Sequence, residues 1–198
     1  MSTIKTNQLA HTANGASIYT LPQTDGSAGQ VLRTDGSGNL SWVNDSGKIL
    51  QVVSGIKTDT FVGTSNTSLI ELTGLSATIT ASNSSNKILI HVSLNYCSVS
   101  TTYKARIIKD STDILLGDAA SSRAQGTFGL GHTHDANQID VATFVGVDTA
   151  GDTNPHTYKI MLLNDNNLAM HINRSDNDSN GIVSGRFPST ITLMEIAA

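Results

Sequence analysis

The sequence predicts an all-β protein, with an extended N-terminal β and coil stalk followed by a jelly-roll-like β-sandwich. Ser, Thr and Asn account for 23, 24 and 16 of the 198 residues. These side chains compete for backbone hydrogen bonds and therefore favour turns and strand surfaces over helix interiors. Short runs with a two-residue apolar period recur between Gly, Asn, Asp and Ser clusters, which is typical of antiparallel strands. No segment has the apolar period of an amphipathic helix.

The first 47 residues divide into two parts. Residues 1–20 contain a few apolar side chains without a clear period, so we expect this segment to be ordered only against a partner. Residues 21–47 contain the tetrapeptide Thr-Asp-Gly-Ser twice, at 24–27 and 34–37. Asp-Gly marks a tight turn. A ribbon with so little apolar surface cannot bury itself within one chain, so we predict that identical copies wind around a common axis.

Residues 48–198 form the predicted sandwich. About ten short strands without β-α alternation favour a jelly roll, because two packed sheets bury their alternating apolar faces with short connections. In one strand the predicted buried face is Ile88, Ile90, Val92, Leu94 and Tyr96, and in another it is Ile139, Val141, Thr143, Val145 and Val147. The predicted strands are 49–54, 59–63, 67–73, 76–81, 88–97, 103–109, 113–116, 139–147, 156–163, 168–173 and 189–196.

Composition excludes several classes of partner. The formal net charge is −4 and only 14% of residues are charged, so there is no basic patch for nucleic acid or an anionic membrane. Cys97 is the single cysteine, so no disulfide can form within the chain. The sequence has no run of about 18 apolar residues, so no membrane insertion is predicted. The first ten residues lack the apolar core of a secretion signal, so we expect the chain to stay in the cytosol until assembly or release.

The turn-repeat segment LPQTDGSAGQVLRTDGSGNLSWV, residues 21–43, resembles the linker of bacteriophage fibre and tail-fibre proteins, especially those of marine phages. The resemblance continues into the sandwich, in the segments ILQVV, TDTFVG, LTGLSATITASNSSNKILIHVSL, NPHTYKIML and STITLMEIAA. It implies a virion-anchoring segment at 1–20, a linker or stalk at 21–47 and a C-terminal β knob at 48–198.

The resemblance also implies partners and a location. It implies a homotrimer in the virion, made in the host cytoplasm and attached to other tail or capsid proteins through its N-terminus. The knob is then expected to bind a host cell-surface glycan or protein through loops such as 118–137 and 174–187. Two alternatives remain open: a capsid-decorating head fibre or spike with a stabilising or loosely adhesive role, and a fibre-borne polysaccharide hydrolase.

Contacts between copies are predicted at two places. The last strand is apolar on both faces, at Ile191, Leu193, Met194 and Ile196, which exceeds what a strand covered on one side requires. Either its second face meets another copy or the strand is covered within its own subunit. Trp42 in the linker is predicted to pack between chains.

Candidate metal ligands are few. In an extended segment His132 and His134 lie on the same side, and a threefold axis would gather six imidazoles into a cage suited to a transition metal. A solvated turn is the alternative. The segment 176–181 has the alternating oxygens of a calcium loop, but Phe187 stands where the closing Glu is needed, so a polar loop is the better interpretation. No other cofactor is predicted.

Motifs for catalysis are absent from the sequence. There is no G-x-S-x-G elbow, P-loop, dinucleotide fingerprint or H-E-x-x-H. A glycan hydrolase needs two carboxylates across a groove, and the strand-associated candidates are Glu71, Asp140 and Glu195. We expect that the protein is not an enzyme.

Overall fold

The computed structural model describes residues 8–10, 18–45, 47–64, 68–99, 101–164 and 167–198. The chain divides into two compact units, Met1–Gly47 and Lys48–Ala198. The described residues are in strands, turns and loops, without α-helix. None of them forms a helix that is long and apolar enough to cross a membrane.

The described residues of the N-terminal unit form two short antiparallel strand pairs. Strand β1 (Gln8–Ala10) pairs with β2 (Ile18–Thr20), and β3 (Gln30–Thr34) pairs with β4 (Leu40–Asn44). The second Thr-Asp-Gly-Ser copy forms the turn between β3 and β4. There the Asp35 carboxylate accepts hydrogen bonds from the backbone N–H groups of Ser37 and Asn39, at 2.8 and 3.1 Å. This is the local side-chain bonding that makes Asp a turn residue.

The first copy of the tetrapeptide packs against Trp42. The indole Nε1 donates to the carbonyl of Thr24 at 2.9 Å, and the ring lies so close to Gly26 that an added Cβ would stand 2.6 Å from it. Trp42 therefore contacts its own unit, although 37% of it stays exposed.

The C-terminal unit is a sandwich of two antiparallel sheets, as predicted. In sheet I the order is β5-β15-β8-β12. Strand β14 pairs with the end of β8 in line with β15, and β6 pairs with β14 in line with β5. In sheet II the order is β7-β13-β9, and both β10 and β11 pair with β9. The strands are β5 (Ile49–Lys57), β6 (Phe61–Thr64), β7 (Ile70–Thr80), β8 (Lys87–Cys97), β9 (Tyr103–Lys109), β10 (Thr112–Ile114), β11 (Phe128–Leu130), β12 (Asp140–Thr149), β13 (Pro155–Leu163), β14 (Ala169–Ile172) and β15 (Ser189–Ile196).

The connectivity is that of a jelly roll. If the broken strands β5/β6, β10/β11 and β14/β15 each count once, the described part of the unit has eight strands, in the orders 1-8-3-6 and 2-7-4-5. Successive strands mostly alternate between the two sheets, and this wraps the chain around one core. The predicted all-β class and the jelly-roll-like sandwich are confirmed, whereas the stalk and the trimer stay predictions.

The core lies between the sheets. The predicted inner face of β8 is confirmed, since Ile90, Val92 and Leu94 are fully buried. Facing side chains come from sheet II, among them the fully buried Tyr158 and Ile160. Burying an aliphatic side chain of this size stabilises the fold by roughly 1.5–3 kcal/mol.

The predicted buried face of β12 is wrong. In this strand Phe144 pairs with Val92 and Ala142 with Leu94, so the even-numbered residues share the inner face, and Phe144 stacks on Phe128 at 5.9 Å between ring centroids. The valines therefore point outward, and Val141, Val145 and Val147 are 57%, 60% and 47% exposed. Both faces of β12 carry apolar residues, so the two-residue period alone does not select the inner one.

Two strand predictions also differ from the structure. The segments predicted as 67–73 and 76–81 form one strand, β7. The strand continues past Gly74, which has a φ of +85°. Residues 65–67 lie outside the described residues. The short strand β11 was not predicted, because three residues with a central Gly give almost no period.

Candidate functional site

The outer face of sheet I carries exposed aliphatic side chains among serines and threonines, and it holds little charge. The pairing register sets its side chains in four rows across β5, β15, β8 and β12. Its edge residues are well exposed, with Val52 at 57% and Ile56 at 61%. We define this apolar outer face as Ile56, Thr190, Ser93 and Thr143; Ser54, Thr192, His91 and Val145; Val52, Met194, Leu89 and Val147; and Ile49, Ile196, Lys87 and Thr149.

Charge is confined to one end of this face. Lys87 lies in the last row and donates to Thr149 Oγ1 at 2.8 Å. None of the sixteen positions holds a carboxylate. The apolar side chains are contiguous in the row Val52, Met194, Leu89 and Val147, and contiguous exposed apolar surface marks an interaction site more often than scattered single side chains do.

The outer face of sheet II is polar. There Lys159 pairs with Glu71 at 2.7 Å, and Arg106 pairs with Asp113 at the same distance. The hydroxyls of Thr78 and Thr157 lie 2.8 Å apart. Partly exposed ion pairs and hydroxyl pairs are typical of a solvated sheet surface.

The predicted contacts in the last strand fall on opposite faces. Ile191 and Leu193 have no exposed surface and pack in the core of their own chain, so the prediction that they contact another copy is corrected. Met194 and Ile196 belong to the apolar outer face and are partly exposed. This division arises because β15 lies between β5 and β8, where one face must be inside.

The two loops expected to touch the host contain segments that lie side by side at one end of sheet I. Asn177 donates from its backbone N–H to the carbonyl of Ala136 at 3.1 Å, and from its side chain to Asn137 at 3.0 Å. The second loop carries an exposed apolar tip, with Val183 at 63% exposure beside a fully exposed Ile182. These segments, 131–139 and 173–188, form the loop end of the sandwich.

Cys97 is buried beneath the loop end. It is fully buried, and its Sγ lies 3.6 Å from the hydroxyl of Thr133, which is buried as well. Thr133 also accepts a hydrogen bond from the backbone N–H of Ser98 at 3.2 Å. The first of the two loops is therefore anchored to the end of β8.

The structure brings His132 and His134 together without completing a metal site. The ring centroids are 6.3 Å apart and the rings are perpendicular, and His132 Nε2 contacts the carbonyl oxygen of Val99. Within the described part of the chain, no group of three or more His, Cys, Asp or Glu side chains is placed to hold a metal ion. A metal at these histidines therefore needs ligands from other copies, and the cage on a threefold axis stays a prediction.

The acidic loop at 176–181 is neutralised by cations of its own chain. Asp178 lies 3.2 Å from Arg174 and 2.5 Å from Arg186, while Asp176 lies 3.0 Å from Nδ1 of the buried His171. Burial lowers the pKa of His171, and the nearby Asp176 opposes that shift. The guanidinium groups of Arg174 and Arg186 bind the Asp178 oxygens that a calcium ion would need. These ion pairs hold the loop in place without a metal.

The three strand-associated carboxylates lie apart. Glu71 is on the outer face of sheet II. In sheet I, Asp140 pairs with Tyr96 and Glu195 with Ile88, at opposite ends of β8. They do not form a facing pair.

Glu195 is a buried structural carboxylate. It accepts hydrogen bonds from Gln51 and Asn86 at 2.6 Å, and from both the backbone N–H and the hydroxyl of Ser82 at 2.7 Å. Burial alone would raise the pKa of Glu195, but these donors outweigh it and lower the pKa to about 2. The carboxylate ties β15 to β5 and to the β7–β8 turn.

Sequence reasoning missed a second polar cluster, at the end of the sandwich opposite the loop end. The imidazole of His156 lies between two carboxylates, with Nδ1 2.7 Å from Asp110 and Nε2 3.0 Å from Asp152. A hydrogen bond from the backbone of Thr157 and the bond to His156 lower the pKa of Asp110. Asp110 is 46 residues away from His156, and only the β9–β13 pairing brings them together.

No family model matches the chain, and no curated protein matches it. Among solved structures, the infectious bursal disease virus Gx strain structure is 17% identical with a TM-score of 0.38, over 80% of this chain and 34% of that one. The VP2 subviral particle of the same virus is 15% identical with a TM-score of 0.38, over 80% and 40%. The chain thus spans about two fifths or less of the neighbours it matches. A likeness this weak supports no inference about function.

Proposed function

We propose that this chain is a structural fibre protein of a bacteriophage virion, a homotrimer that displays its sandwich to the host surface for attachment. The N-terminal segment docks on other virion proteins, and the loop end contacts a host glycan or protein. The chain has no catalytic role in this proposal, and its carboxylates stabilise the fold.

The two-part architecture carries the proposal. In the described part of the N-terminal unit, the apolar side chains Val31 and Leu32 are both 42% exposed, and Trp42 is 37% exposed. A ribbon of this composition gains a core when copies share an axis. The resemblance of residues 21–43 to phage fibre linkers supports the same arrangement, and the jelly-roll domain supplies a compact body for display.

The loop end is the proposed adhesive surface. Its backbone is held by hydrogen bonds between the two loops, so it presents a preformed surface with little ordering cost on binding. Ile182 and Val183 supply exposed apolar contacts beside Arg186, which is 54% exposed. Three loop ends on one fibre raise weak single contacts to useful avidity.

Localisation on particles tests the proposal. Gold-conjugated antibodies against the purified chain should label virions of the virus that encodes it. Labelling on the tail supports the receptor-binding fibre, labelling on the head supports the capsid-decorating fibre instead, and unlabelled particles overturn both.

Adhesion is tested with a loop-end variant. The Ile182→Asp, Val183→Asp double variant should lose binding of the purified trimer to host cells by more than about tenfold, because apolar contacts are replaced by charge. The control Thr153→Asp adds a charge at an exposed position between β12 and β13, at the opposite end of the sandwich. Equal binding of the double variant and the control would contradict the assignment of the loop end.

A further inference from the structure

The apolar outer face is bounded by two long strands. Its two outer strands, β12 with 10 residues and β5 with 9, are the edges of sheet I. Long apolar edge strands are sites of association unless charge, proline or a covering segment protects them. In β12 the outward residues within the four rows are Thr143, Val145, Val147 and Thr149, so the strand carries no outward charge.

We propose that this face joins the copies: three chains pack the apolar outer faces of their sheets I around a common axis. This inference rests on the proposed homotrimer and names the surface that holds it. A second copy is the partner that fits, because the row Val52, Met194, Leu89 and Val147 is apolar throughout and is covered by the same row of another copy. The like charges of Lys87 meet only in the last row, and a face without carboxylates gives a basic partner nothing to pair with. A partner that binds through ion pairs would find almost no charged side chains on this face.

The width of the face fits three copies. Four strands about 4.8 Å apart make a face roughly 19 Å wide. In an equilateral triangle with sides of about 19 Å, the centre lies about 5.5 Å from each side, close to half of the roughly 10 Å that separates packed sheets. Three such faces therefore enclose a prism that their own side chains fill.

The area is also sufficient. Four rows about 6.7 Å apart give a face about 27 Å long and roughly 500 Å² in area per copy. Three copies then bury about 1,500 Å² in total, within the usual range for specific interfaces. Met194 and Ile196, which the sequence suggests as contacts, lie on the inner strand β15, in the third and fourth of these rows.

The prism makes a specific prediction about its corners. Val52 on β5 and Val147 on β12 belong to the same row but to opposite edges of the face. Within one chain three strand spacings separate them, about 14 Å, which is too far for a disulfide. Around a threefold axis, Val147 of one copy meets Val52 of the next at the same height.

The experiment uses the full chain with Val52→Cys and Val147→Cys together, oxidised and analysed on a denaturing gel without reductant. We expect a covalent species of three chains. The single variants Val52→Cys and Val147→Cys are the controls and should stay uncrosslinked, because the native Cys97 is buried. Light scattering of the unmodified chain gives its mass in parallel.

The outcomes separate this inference from the proposed function. A mass of three chains with covalent trimers in the double variant supports both. A mass of three chains without crosslinking overturns the face as the interface and leaves the trimeric fibre standing. A covalent species of two chains only overturns the threefold prism. A mass of one chain overturns the trimer and the interface together.

Discussion

The two outer faces of the sandwich show how differently one fold can treat equivalent surfaces. Both sheets bury aliphatic and aromatic residues inside, but sheet II turns ion pairs such as Lys159–Glu71 outward, whereas sheet I turns Val52, Ile56 and Val145 outward at 57–61% exposure. The fold needs only one apolar face per sheet. The exposed aliphatic residues of sheet I are therefore the basis of the contact that we propose between copies.

The largest effect is expected from charge on the apolar outer face. Val145→Glu places a carboxylate where three copies would exclude water, and burying an unpaired charge is strongly unfavourable. We expect light scattering to show loss of the trimer at micromolar concentration. The control Ser76→Glu adds the same charge on the outer face of sheet II opposite Lys159 and should leave the mass unchanged. An equal mass for the two variants would contradict the proposal that only the outer face of sheet I takes part in assembly.

Neighbouring residues of β15 separate folding from assembly. Leu193 is fully buried, so Leu193→Ala should lower the free energy of unfolding of the single chain by about 2–5 kcal/mol. Met194 faces outward, so Met194→Ala should weaken assembly and leave single-chain unfolding nearly unchanged. Denaturant titrations below and above the concentration of trimer dissociation measure both. A large single-chain loss for Met194→Ala would place that residue in the core instead.

Acid should destabilise the sandwich through Glu195. Its pKa is about 2 in the folded chain and 4.5 ordinarily, so its contribution is present above pH 4.5 and is lost as pH falls towards 2. The shift corresponds to about 3 kcal/mol. Unfolding titrations of the wild type between pH 6 and about 2.5 should show this loss. In Glu195→Gln the acid dependence should be weaker and the stability at pH 6 lower, because the amide cannot accept all four hydrogen bonds. An unchanged acid dependence would contradict this role.

The smallest effect is expected on the outer face of sheet II. The Glu71–Lys159 pair is partly exposed, with side-chain exposures of 43% and 29%, and surface ion pairs contribute between about 0 and 1 kcal/mol. Glu71→Ala should therefore change the free energy of unfolding by less than about 1 kcal/mol and should not alter the mass. A measured loss above about 2 kcal/mol would mean that this pair is more than a solvated surface contact.

Much of the fold could be predicted from the sequence, because strands with one apolar face carry a clear period. Val92 lies between the polar residues His91 and Ser93, and the buried face that it shares with Ile90 is correctly predicted. In β12 both faces are apolar, and the inner one is decided by the pairing of Phe144 with Val92 and by its stacking on Phe128. These are contacts between distant segments, which a local period does not contain.

The candidate sites were harder to predict for the same reason. His132 and His134 are two residues apart in sequence and do lie together, whereas the cluster around His156 depends on Asp110, 46 residues away. The apolar outer face is assembled from β5, β8, β12 and β15. The sequence suggested only its β15 members, Met194 and Ile196, because a face spread over four strands appears only once their register is known.

The mass of the full chain in solution tests the central claim most directly. At low micromolar concentration and neutral pH, multi-angle light scattering should give three times 20.8 kDa, because we propose that other copies cover the apolar outer face of sheet I. A stable mass of 20.8 kDa under the same conditions would contradict it.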